Sequence, residues 1–399
     1  MRVVTNTAVR LASEGAAGFV VCFGIEEKHP VTKKIRLGIL FGGRSGEHDV
    51  SLVSAASVMK ALDPAKYEIL PIGITRQGQW KVGTGALKLL PQVLEEGDPV
   101  TPSVDPSGPK LLPLGSGSLA PKSRPEVDVI FPVLHGTFGE DGTVQGLLEL
   151  ADIPYVGAGV LASSAGMDKD VMKRLFRDAG LPVVPWELVL RSDWEKDAAG
   201  VRQRIEGRLR YPLFVKPVNM GSSVGISKVH SGTELAAAMD RAADYDRKIL
   251  VEKGVDAREI ECAVLGNDHP QASVPGEVVP VNEFYDYEAK YIKEGSKLLI
   301  PAPLTAVETK HVQDLAVRAF EAIDGAGMGR VDFLLDRPTG ELYVNEINTI
   351  PGFTSISMYP KLWEASGVPY SELLDRLINL ALERHAEKSR TRFTYSPKA

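Results

Sequence analysis

The residues best suited to chemistry lie in one short stretch, GRVDFLLDRPTGELYVNEINTIPG (329–352). It predicts two strands joined by a tight turn, with Arg330 and Asp332 in the first strand and Glu346 and Asn348 in the second. Side chains two positions apart in a strand share a face, so the two pairs can converge across the hairpin. Two carboxylates and an amide oxygen form a set of hard ligands, which suits Mg²⁺ bound jointly by protein and by phosphate oxygens. A surface hairpin with solvated acids is the alternative interpretation.

A glycine-rich segment, NMGSSVG (219–225), follows a predicted strand that carries Lys216. Small residues let backbone N–H groups cradle phosphate oxygens, and a lysine supplies the balancing charge. The Gly-Lys-Ser/Thr ending of a Walker loop is absent. A simple turn beside a solvent-directed lysine is the alternative interpretation.

Charged residues at the ends of other predicted elements are further candidates for ligand contacts. Lys169 begins a predicted helix, where a lysine is unfavourable for the helix dipole unless an anion lies nearby. Glu252 and Lys253 end an apolar strand and Glu259 follows, and such glutamates can accept hydrogen bonds from an adenine amino group or ribose hydroxyls. Ordinary solvated charges are the alternative for each of them.

Two loops, FGGRSGEHDVS (41–51) and HGTFGEDG (135–142), follow predicted buried strands. The carboxyl ends of parallel strands are where α/β folds place their ligands. Glu47 precedes a helix and could hold a substrate ammonium, while His135 opens the second loop and has a structural alternative. The first loop also suggests a dinucleotide-binding turn, but the G-x-G-x-x-G spacing is missing.

The elements that must position these residues begin as a βαβ unit, with a strand, a helix and a strand over 35–43, 49–62 and 67–75. Residues 97–125 are rich in Pro, Gly and Ser and predict a loop or an irregular insertion. The next predicted elements are a strand over 127–136, a helix over 143–152 and one continuous helix over 164–180 that a Gly-Leu-Pro sequence ends.

The second half of the chain also alternates between strands and helices. Ser231 and Glu234 predict a capping box at the start of a helix over 231–245. Residues 281–297 form a polar, aromatic segment too long for an ordinary turn, which indicates either a disordered loop or a functional one, and the functional interpretation is a lid over a site. The other predicted elements are strands over 211–219, 248–255 and 259–267 and helices over 306–324 and 369–388.

Composition limits the possible classes of function. The 399 residues are 44% hydrophobic and 25% charged, which allows two or three hydrophobic cores. The net charge of −6 argues against a nucleic-acid binder and against a basic membrane-surface protein. Two cysteines without a CxxC pair argue against a disulfide scaffold and favour a reducing cytoplasm. No apolar run reaches the roughly 18 residues of a membrane helix.

The first 34 residues differ from the rest of the sequence. Their apolar run AAGFVVCFGI (16–25) has the length of a signal-peptide core, but the residues before it are weakly basic and no clean cleavage site follows. We interpret residues 1–34 as a non-core extension that results from a start codon placed too early.

Seven segments cover about residues 35–385 and are, in order along the chain, GGRSGEHDVS, HGTFGEDG, YVGAGVLASSAGMDKD, VKPVNMGSSVG, FYDYEAKY, GRVDFLLD and NEINTIPGFTSISM. Taken together and in this order, they resemble the ATP-grasp ligases, and among them the D-alanine–D-alanine ligase family. The resemblance implies a mixed α/β and α+β protein, in which an ATP-grasp fold follows a Rossmann-like N-terminal domain with a parallel sheet. The expected domains are an α/β substrate-binding domain over 35–157, a central ATP-grasp subdomain over 158–256, a C-terminal ATP-grasp subdomain over 257–388 and a tail over 389–399.

The resemblance implies ATP-dependent joining of two D-alanines through an acyl phosphate, for peptidoglycan precursor synthesis. It also implies a cytoplasmic homodimer that uses Mg²⁺ or Mn²⁺, with two ions, and has no nucleic-acid or membrane partner. The residues that match ATP contacts of the family are Lys169, Lys216, Ser222, Ser223, Glu252, Lys253, Val255, Glu259 and Lys290. The residues that match its metal ligands are Asp332, Glu346 and Asn348.

Roles around the amino-acid substrates follow from the same resemblance. Glu47 matches the residue that holds the first substrate's ammonium, with Ser222 and Tyr291 bonded around it. Arg330 and the backbone of Gly352 match the groups that stabilise the oxyanion. The remaining residues assigned to the substrates are His135, Ser357 and Met358, the last two at the edge that receives the second D-alanine's carboxylate.

Alternatives remain open at this level. Tyr291 accompanies D-alanine as the second substrate in this family, whereas relatives that make D-alanyl-D-lactate differ in that loop. A D-alanine–D-lactate ligase or another carboxylate–amine ligase is therefore the first alternative. A nucleotide-dependent dehydrogenase built on LGILFGGRSG and a non-catalytic nucleotide-binding module are alternatives from other classes.

Overall fold

The computed structural model describes residues 33–83, 90–114, 126–279 and 297–394. Within these ranges no helix is both long enough and apolar enough to cross a membrane. The strands are β1 (Ile35–Gly42), β2 (Tyr67–Ile74), β3 (Trp80–Val82), β4 (Asp98–Pro102), β5 (Leu111–Pro113), β6 (Val129–Pro132), β7 (Trp186–Leu190), β8 (Leu213–Pro217), β9 (Ser227–Val229), β10 (Lys248–Lys253), β11 (Ala257–Gly266), β12 (Gln271–Ala272), β13 (Gly276–Val279), β14 (Lys297–Leu299), β15 (Gly327–Asp336) and β16 (Leu342–Asn348).

The helices in the same ranges lie between these strands or after the last of them in sequence, singly or in succession. They are α1 (His48–Ala61), α2 (Leu90–Glu96), α3 (Thr143–Leu150), α4 (Val160–Met167), α5 (Lys169–Asp178), α6 (Arg191–Lys196), α7 (Ala198–Arg208), α8 (Gly232–Tyr245), α9 (Ala306–Ala322), α10 (Met358–Ala365) and α11 (Tyr370–Lys388).

The first sheet has the strand order β5-β4-β3-β2-β1-β6 and confirms the predicted βαβ start. Strand β1 pairs in parallel with β2 and β6, and its apolar residues are buried from Leu37 onward because both faces are covered. The chain turns at Gly42, whose φ of +89° and close approach to the Ile74 carbonyl leave no room for a Cβ. This turn directs the chain towards Glu47.

The prediction of a loop or an irregular insertion over 97–125 is wrong for residues 98–102 and 111–113, which form strands. Strands β4 and β5 extend the first sheet by antiparallel pairing, and Val100 and Leu111 are buried against it. Pro113 lies in β5 at the sheet's edge, where a missing N–H costs little, and Pro102 is the last residue of β4. Proline and glycine content therefore misled the sequence interpretation.

The second sheet is antiparallel, with the order β7-β10-β8-β9, and α7 and α8 supply apolar residues to its core. The predicted capping box at Ser231 is wrong. The Ser231 side chain makes no cap bond, and the Glu234 carboxylate instead accepts from the His230 N–H at 2.9 Å. A complete capping box occurs at α9, between Thr305 and Glu308.

The third sheet has the order β14-β13-β11-β15-β16, with β12 beside β11, and all its pairings are antiparallel. One face packs against α4, α5 and α9. The other face shares a core with α10, α11 and the first sheet, where the rings of Phe131 and Phe353 meet edge-on at 5.6 Å. This shared core fixes the loops of the first sheet relative to the β15–β16 hairpin.

The single helix predicted over 164–180 is two helices. Asp168 is extended, with φ −82° and ψ 98°, and its side chain caps α5 by accepting from the Val171 N–H at 3.0 Å. The predicted end is confirmed, because Gly180 has a φ of +68° just after α5. The break makes Lys169 the first residue of α5.

Candidate active site

The β15–β16 hairpin brings its polar residues together as the sequence predicts. Asp332 pairs with Glu346, and Arg330 pairs with Asn348, so the four side chains form two adjacent rows on one face. A register shift between Asp332 and Phe333 marks a β-bulge beside these rows.

The guanidinium of Arg330 is held by two carboxylates. Its Nε and Nη2 donate to Asp332 at 2.7 and 2.6 Å, and its Nε also lies 2.9 Å from Glu261 on β11. Burial opposes the charged guanidinium, but the charges of Asp332 and Glu261 outweigh it and raise the pKa of Arg330 well above its usual range. Sequence reasoning missed Glu261, because only the pairing of β11 with β15 places it opposite Asp332.

Asp332, Glu346 and Asn348 fit a hard divalent cation by ligand chemistry and by strand register. Asp332 is turned towards Arg330, and its Oδ2 also accepts from Asn348 Nδ2 at 3.1 Å. In the part of the chain that the structure describes, no three His, Cys, Asp or Glu side chains converge closely enough to hold a metal ion. The predicted metal ligands therefore lie close together, and the Asp332 carboxylate accepts hydrogen bonds from the Arg330 guanidinium.

Two lysines share the Glu252 carboxylate. Lys216 Nζ lies 2.6 Å from one oxygen, and Lys173 Nζ contacts the other. Burial disfavours a charged Glu252, but the two ammonium groups outweigh burial and lower the pKa of Glu252 to about 2. The sequence predicts that Glu252 contacts adenine or ribose, and here both its oxygens face lysines. Lys173 was missed, although it lies one turn after Lys169 on α5.

The start of α5, at Asp168 and Lys169, is anchored from two directions. Its Nζ donates to the Met220 carbonyl at 2.7 Å, which ties the start of α5 to the glycine-rich segment. The adjacent Asp168 carboxylate receives Lys248 Nζ at 2.6 and 2.9 Å, which ties the same point to the start of β10. Lys248 is buried and was not identified from the sequence.

The glycine-rich segment folds into a tight loop. Ser222, Ser223 and Gly225 all have positive φ, with values of 48°, 61° and 73°, a backbone form that can present N–H groups to an anion. Asn219 donates from its backbone and side chain to Asp246 Oδ2 at 2.7 and 2.9 Å. The loop is therefore held at its base.

Glu47 connects this loop to the first sheet. The Ser222 hydroxyl donates to the Glu47 carboxylate, as the family resemblance predicts. The Glu47 N–H donates to Ser45 Oγ at 3.0 Å, and Ser45 Oγ donates to the His135 carbonyl at 2.7 Å. Gly136 has a φ of +74°, and a Cβ there would lie 2.8 Å from Glu47 Oε2, so only glycine fits.

His135 is buried with both ring nitrogens engaged. Its Nε2 lies 3.1 Å from Ser54 Oγ, and its Nδ1 lies 3.2 Å from the Ile350 carbonyl oxygen. Burial lowers the pKa of His135, although the nearby charge of Glu47 opposes this shift. These contacts favour the structural interpretation of His135 over direct substrate binding.

Glu140 is a site residue that sequence reasoning missed. Its Oε1 accepts from the Gly136 N–H at 2.5 Å, which closes the loop after β6. Burial and then the charge of Glu47 raise the pKa of Glu140 to about 8, against the opposing charges of Lys169 and Arg330. The GEDG sequence could have identified it, since an acid there follows a parallel strand.

The residues predicted for the second substrate's carboxylate lie at the start of α10. Ser357 Oγ accepts from the Thr354 N–H at 3.0 Å, and a Cβ at Gly352 would lie 2.7 Å from this oxygen. The Met358 side chain is buried in the shared core. Only its backbone, at a helix N-terminus that favours anions, can face a carboxylate.

The other predicted residues are less informative. Lys253 is exposed, while Val255 and Glu259 are half-buried near the end of β10 and in β11. Burial opposes a charged Lys216, but Glu252 and, to a smaller extent, the negative charges of Glu346 and Glu259 raise the pKa of this lysine. Lys290 and Tyr291, with the predicted lid over 281–297, lie outside the described residues apart from Lys297.

Two family profiles match the sequence. The profile for the N-terminus of D-Ala–D-Ala ligase matches residues 36–158, and the profile for its C-terminus matches residues 175–379. The chain belongs to the D-alanine–D-alanine ligase family. The dehydrogenase and the non-catalytic binding module are thereby excluded as alternatives.

Relatives share most of their length with this member of the ligase family. The D-alanine–D-alanine ligase of Heliobacterium modesticaldum is 56% identical, over 90% of this chain and 97% of the relative. That of a Thermoanaerobacter species is 54% identical, over 90% of this chain and 99% of the relative.

Solved structures of ligases confirm the ATP-grasp fold. The D-alanine–D-alanine ligase of Coxiella burnetii is 40% identical with a TM-score of 0.79, over 90% of this chain and 97% of that one. The VanG D-Ala:D-Ser ligase of Enterococcus faecalis is 40% identical with a TM-score of 0.78, over 88% of this chain and all of that one.

Proposed function

We propose that this chain joins two D-alanines into D-alanyl-D-alanine and converts ATP to ADP and phosphate, for peptidoglycan synthesis. The family to which the chain belongs is named for this ligation. The observation that carries the proposal is the hydrogen bond from Ser222 to Glu47. It brings a carboxylate suited to an ammonium beside a loop suited to phosphates.

Activation of the first D-alanine needs positive charge around ATP, because a carboxylate oxygen must attack a phosphorus atom surrounded by negative oxygens. Lys169, Lys216 and the backbone at Ser222 and Ser223 would hold the phosphates, while Glu47 would hold the substrate ammonium. Two Mg²⁺ or Mn²⁺ ions held by Asp332, Glu346 and Asn348 would offset charge on the transferring phosphoryl group.

Ligation then proceeds as the second amine attacks the carbonyl carbon of the acyl phosphate. Arg330 and the Gly352 N–H would stabilise the oxyanion, and donors of this kind contribute about 3 to 4 kcal/mol each. Backbone groups at Ser357 and Met358 would receive the second carboxylate. Lys290 and Tyr291 on the lid would exclude water, which otherwise hydrolyses the intermediate.

The second substrate needs its own argument, because the VanG D-Ala:D-Ser ligase is as identical to this chain as the Coxiella enzyme. Relatives at 49–56% identity are D-alanine–D-alanine ligases, which favours the dipeptide of D-alanine. Tyr291 favours the same product. We further infer that the enzyme is a homodimer and acts in the cytoplasm, where its substrates D-alanine and ATP occur.

An isotope experiment tests the acyl-phosphate route. With D-alanine carrying ¹⁸O in its carboxylate, we expect one ¹⁸O in each phosphate released from ATP. Phosphate without ¹⁸O would overturn the route. The D332A and E346A variants should each lose phosphate release by at least about 100-fold, and normal turnover of both would contradict the metal assignment.

A further inference from the structure

A third carboxylate extends the row formed by Asp332 and Glu346. Glu261 on β11 pairs with Asp332 on β15, which pairs in turn with Glu346 on β16. Glu261 is only 8% exposed. Three acids side by side repel one another and are costly to bury, so a cation must lie among them.

That cation is Arg330, which stands one row away on the same face. Its Nε lies between Glu261 Oε2 at 2.9 Å and Asp332 Oδ1 at 2.7 Å. Asp332 uses both oxygens on the guanidinium, since its Oδ2 lies 2.6 Å from Nη2. Arg330 is therefore anchored from the β11 side and from its own strand.

A divalent cation bound by Asp332 would compete with Arg330 for the charge of this carboxylate, because Oδ2 already accepts from Arg330 Nη2 and Asn348 Nδ2 and Oδ1 accepts from Arg330 Nε. A guanidinium held by Asp332 alone would then be held less firmly. Glu261 lies on β11, whereas Glu346 and Asn348 lie on β16 at the other side of β15, so the ion pair of Glu261 with Arg330 can persist when Asp332 binds the cation.

We propose that Glu261 is a positioning residue that keeps the Arg330 guanidinium aimed at the oxyanion while Asp332 binds the divalent cation. The inference rests on the proposed function, since it assigns Arg330 and Asp332 their roles in ligation. In this role Glu261 acts through Arg330 and not through contact with the substrate or the metal ion.

The test uses the E261Q variant of the full-length chain, which keeps the side-chain shape but removes the charge. The matched control is E277Q. Glu277 is also buried in the third sheet and also pairs with an arginine, Arg258, at 2.9 and 2.7 Å. Loss of a buried glutamate–arginine pair is thus common to both variants, and only one pair includes Arg330.

We expect E261Q to lower kcat for dipeptide formation by about ten- to hundredfold, because small misplacements of a catalytic group have effects of this size. KM for ATP should change less than threefold, and E277Q should keep kcat within twofold. A kcat for E261Q within twofold of wild type, or an equal loss in E277Q, would overturn the proposal.

A second comparison asks whether Glu261 acts through Arg330. In an R330K background the guanidinium is already lost, so adding E261Q should lower kcat less than twofold further. A further loss by the same factor as in the wild-type background would show an independent effect and overturn the proposal.

Two readouts without turnover complete the test. In urea unfolding, the shift of the midpoint in the E261Q/R330K double variant should be smaller than the sum of the shifts in the two single variants. Additive shifts would contradict the contact between Glu261 and Arg330. Mn²⁺ titration followed by electron paramagnetic resonance should show that E261Q weakens Mn²⁺ affinity less than tenfold. A greater loss of affinity would make Glu261 a metal ligand and overturn the proposal.

An inactive wild type would overturn the proposed function as well, while an active wild type with unaffected E261Q overturns only the role of Glu261.

Discussion

At the residue scale, Lys216 and Lys173 share Glu252 but differ in where they face. The Lys216 side chain is 13% exposed, whereas that of Lys173 is 2% exposed. Lys216 can therefore move to a phosphate while Lys173 keeps the buried carboxylate neutralised. We therefore assign nucleotide binding to Lys216 and stabilisation of the buried Glu252 carboxylate to Lys173.

The variants K216M and K173M test this division. We expect K216M to raise KM for ATP at least about tenfold and to change the free energy of unfolding by less than about 1 kcal/mol, because Lys173 remains. K173M should lower the free energy of unfolding by about 3 kcal/mol. Urea unfolding and nucleotide titration measure both, and a K173M variant as stable as wild type would contradict the division.

Glu140 predicts a pH dependence of stability. Its pKa is raised from 4.5 to about 8 by burial and by Glu47, so the folded state binds its proton more tightly than the unfolded state. The resulting stability is complete below pH 4.5, falls as pH rises from 4.5 towards 8, and is absent above 8.

The E140Q variant stays neutral at every pH and should escape this loss. We expect it to be more stable than wild type by about 1 to 4 kcal/mol at pH 8.5, with a much smaller difference at pH 5. Unfolding in urea at both values measures the effect, with E68Q at an exposed position of β2 as the control. Parallel pH profiles for E140Q and wild type would count against the shifted pKa.

Residues adjacent in sequence were easier to predict than residues brought together by pairing. Period-two spacing suffices to place Arg330 with Asp332 and Glu346 with Asn348. Glu261 is 71 positions from Asp332 in sequence and reaches it only through the β11–β15 register. No local pattern encodes that register, and the same holds for Lys173 and Lys248, whose acids lie on other elements.

At the element scale, the break between α4 and α5 has a function. Helical periodicity continues across residues 164–180, so the sequence predicted no break. The cap at Asp168 decides it, together with the buried ammonium of Lys248. An extended Asp168 then starts α5 at Lys169 and directs this lysine to Met220.

The D168A variant tests this element, and D197A provides a matched control. Asp197 caps α7 in the same way by accepting from the Gly200 N–H at 2.9 Å, but among the described residues it has no ion pair with a buried lysine. D197A should cost about 1 kcal/mol. D168A should cost about 3 kcal/mol or more, because Lys248 also loses its carboxylate, and ATP affinity should fall. Equal losses of stability with unchanged ATP affinity would contradict the argument.

At the scale of the whole molecule, the shared core of Phe131 and Phe353 holds the first and third sheets together. The order of elements and the motifs predicted these sheets, whereas the extra strands β4 and β5 were hidden by prolines. The boundaries at 35–157, 158–256 and 257–388 stay predictions. Helices α4 and α5 pack against the third sheet although they precede the second in sequence.

The N-terminal extension is also a prediction at this scale. The matched family profiles begin at residue 36, and β1 begins at Ile35. A variant that starts at Lys33 should keep the melting temperature within about 2 °C and kcat within twofold, because the loss removes no part of β1. A variant that starts at Gly43 lacks this central strand and should not fold. Loss of activity in the Lys33 variant would show that the extension belongs to the enzyme.

The central claim is that this ligase joins D-alanine to D-alanine. The most direct measurement is product identification by mass spectrometry after incubation with ATP, Mg²⁺, D-alanine and equal amounts of D-serine and D-lactate at neutral pH. We predict D-alanyl-D-alanine as the dominant product, with ADP and phosphate in equal amounts. A dominant D-alanyl-D-serine or D-alanyl-D-lactate, or no D-alanine-dependent product, would contradict the account.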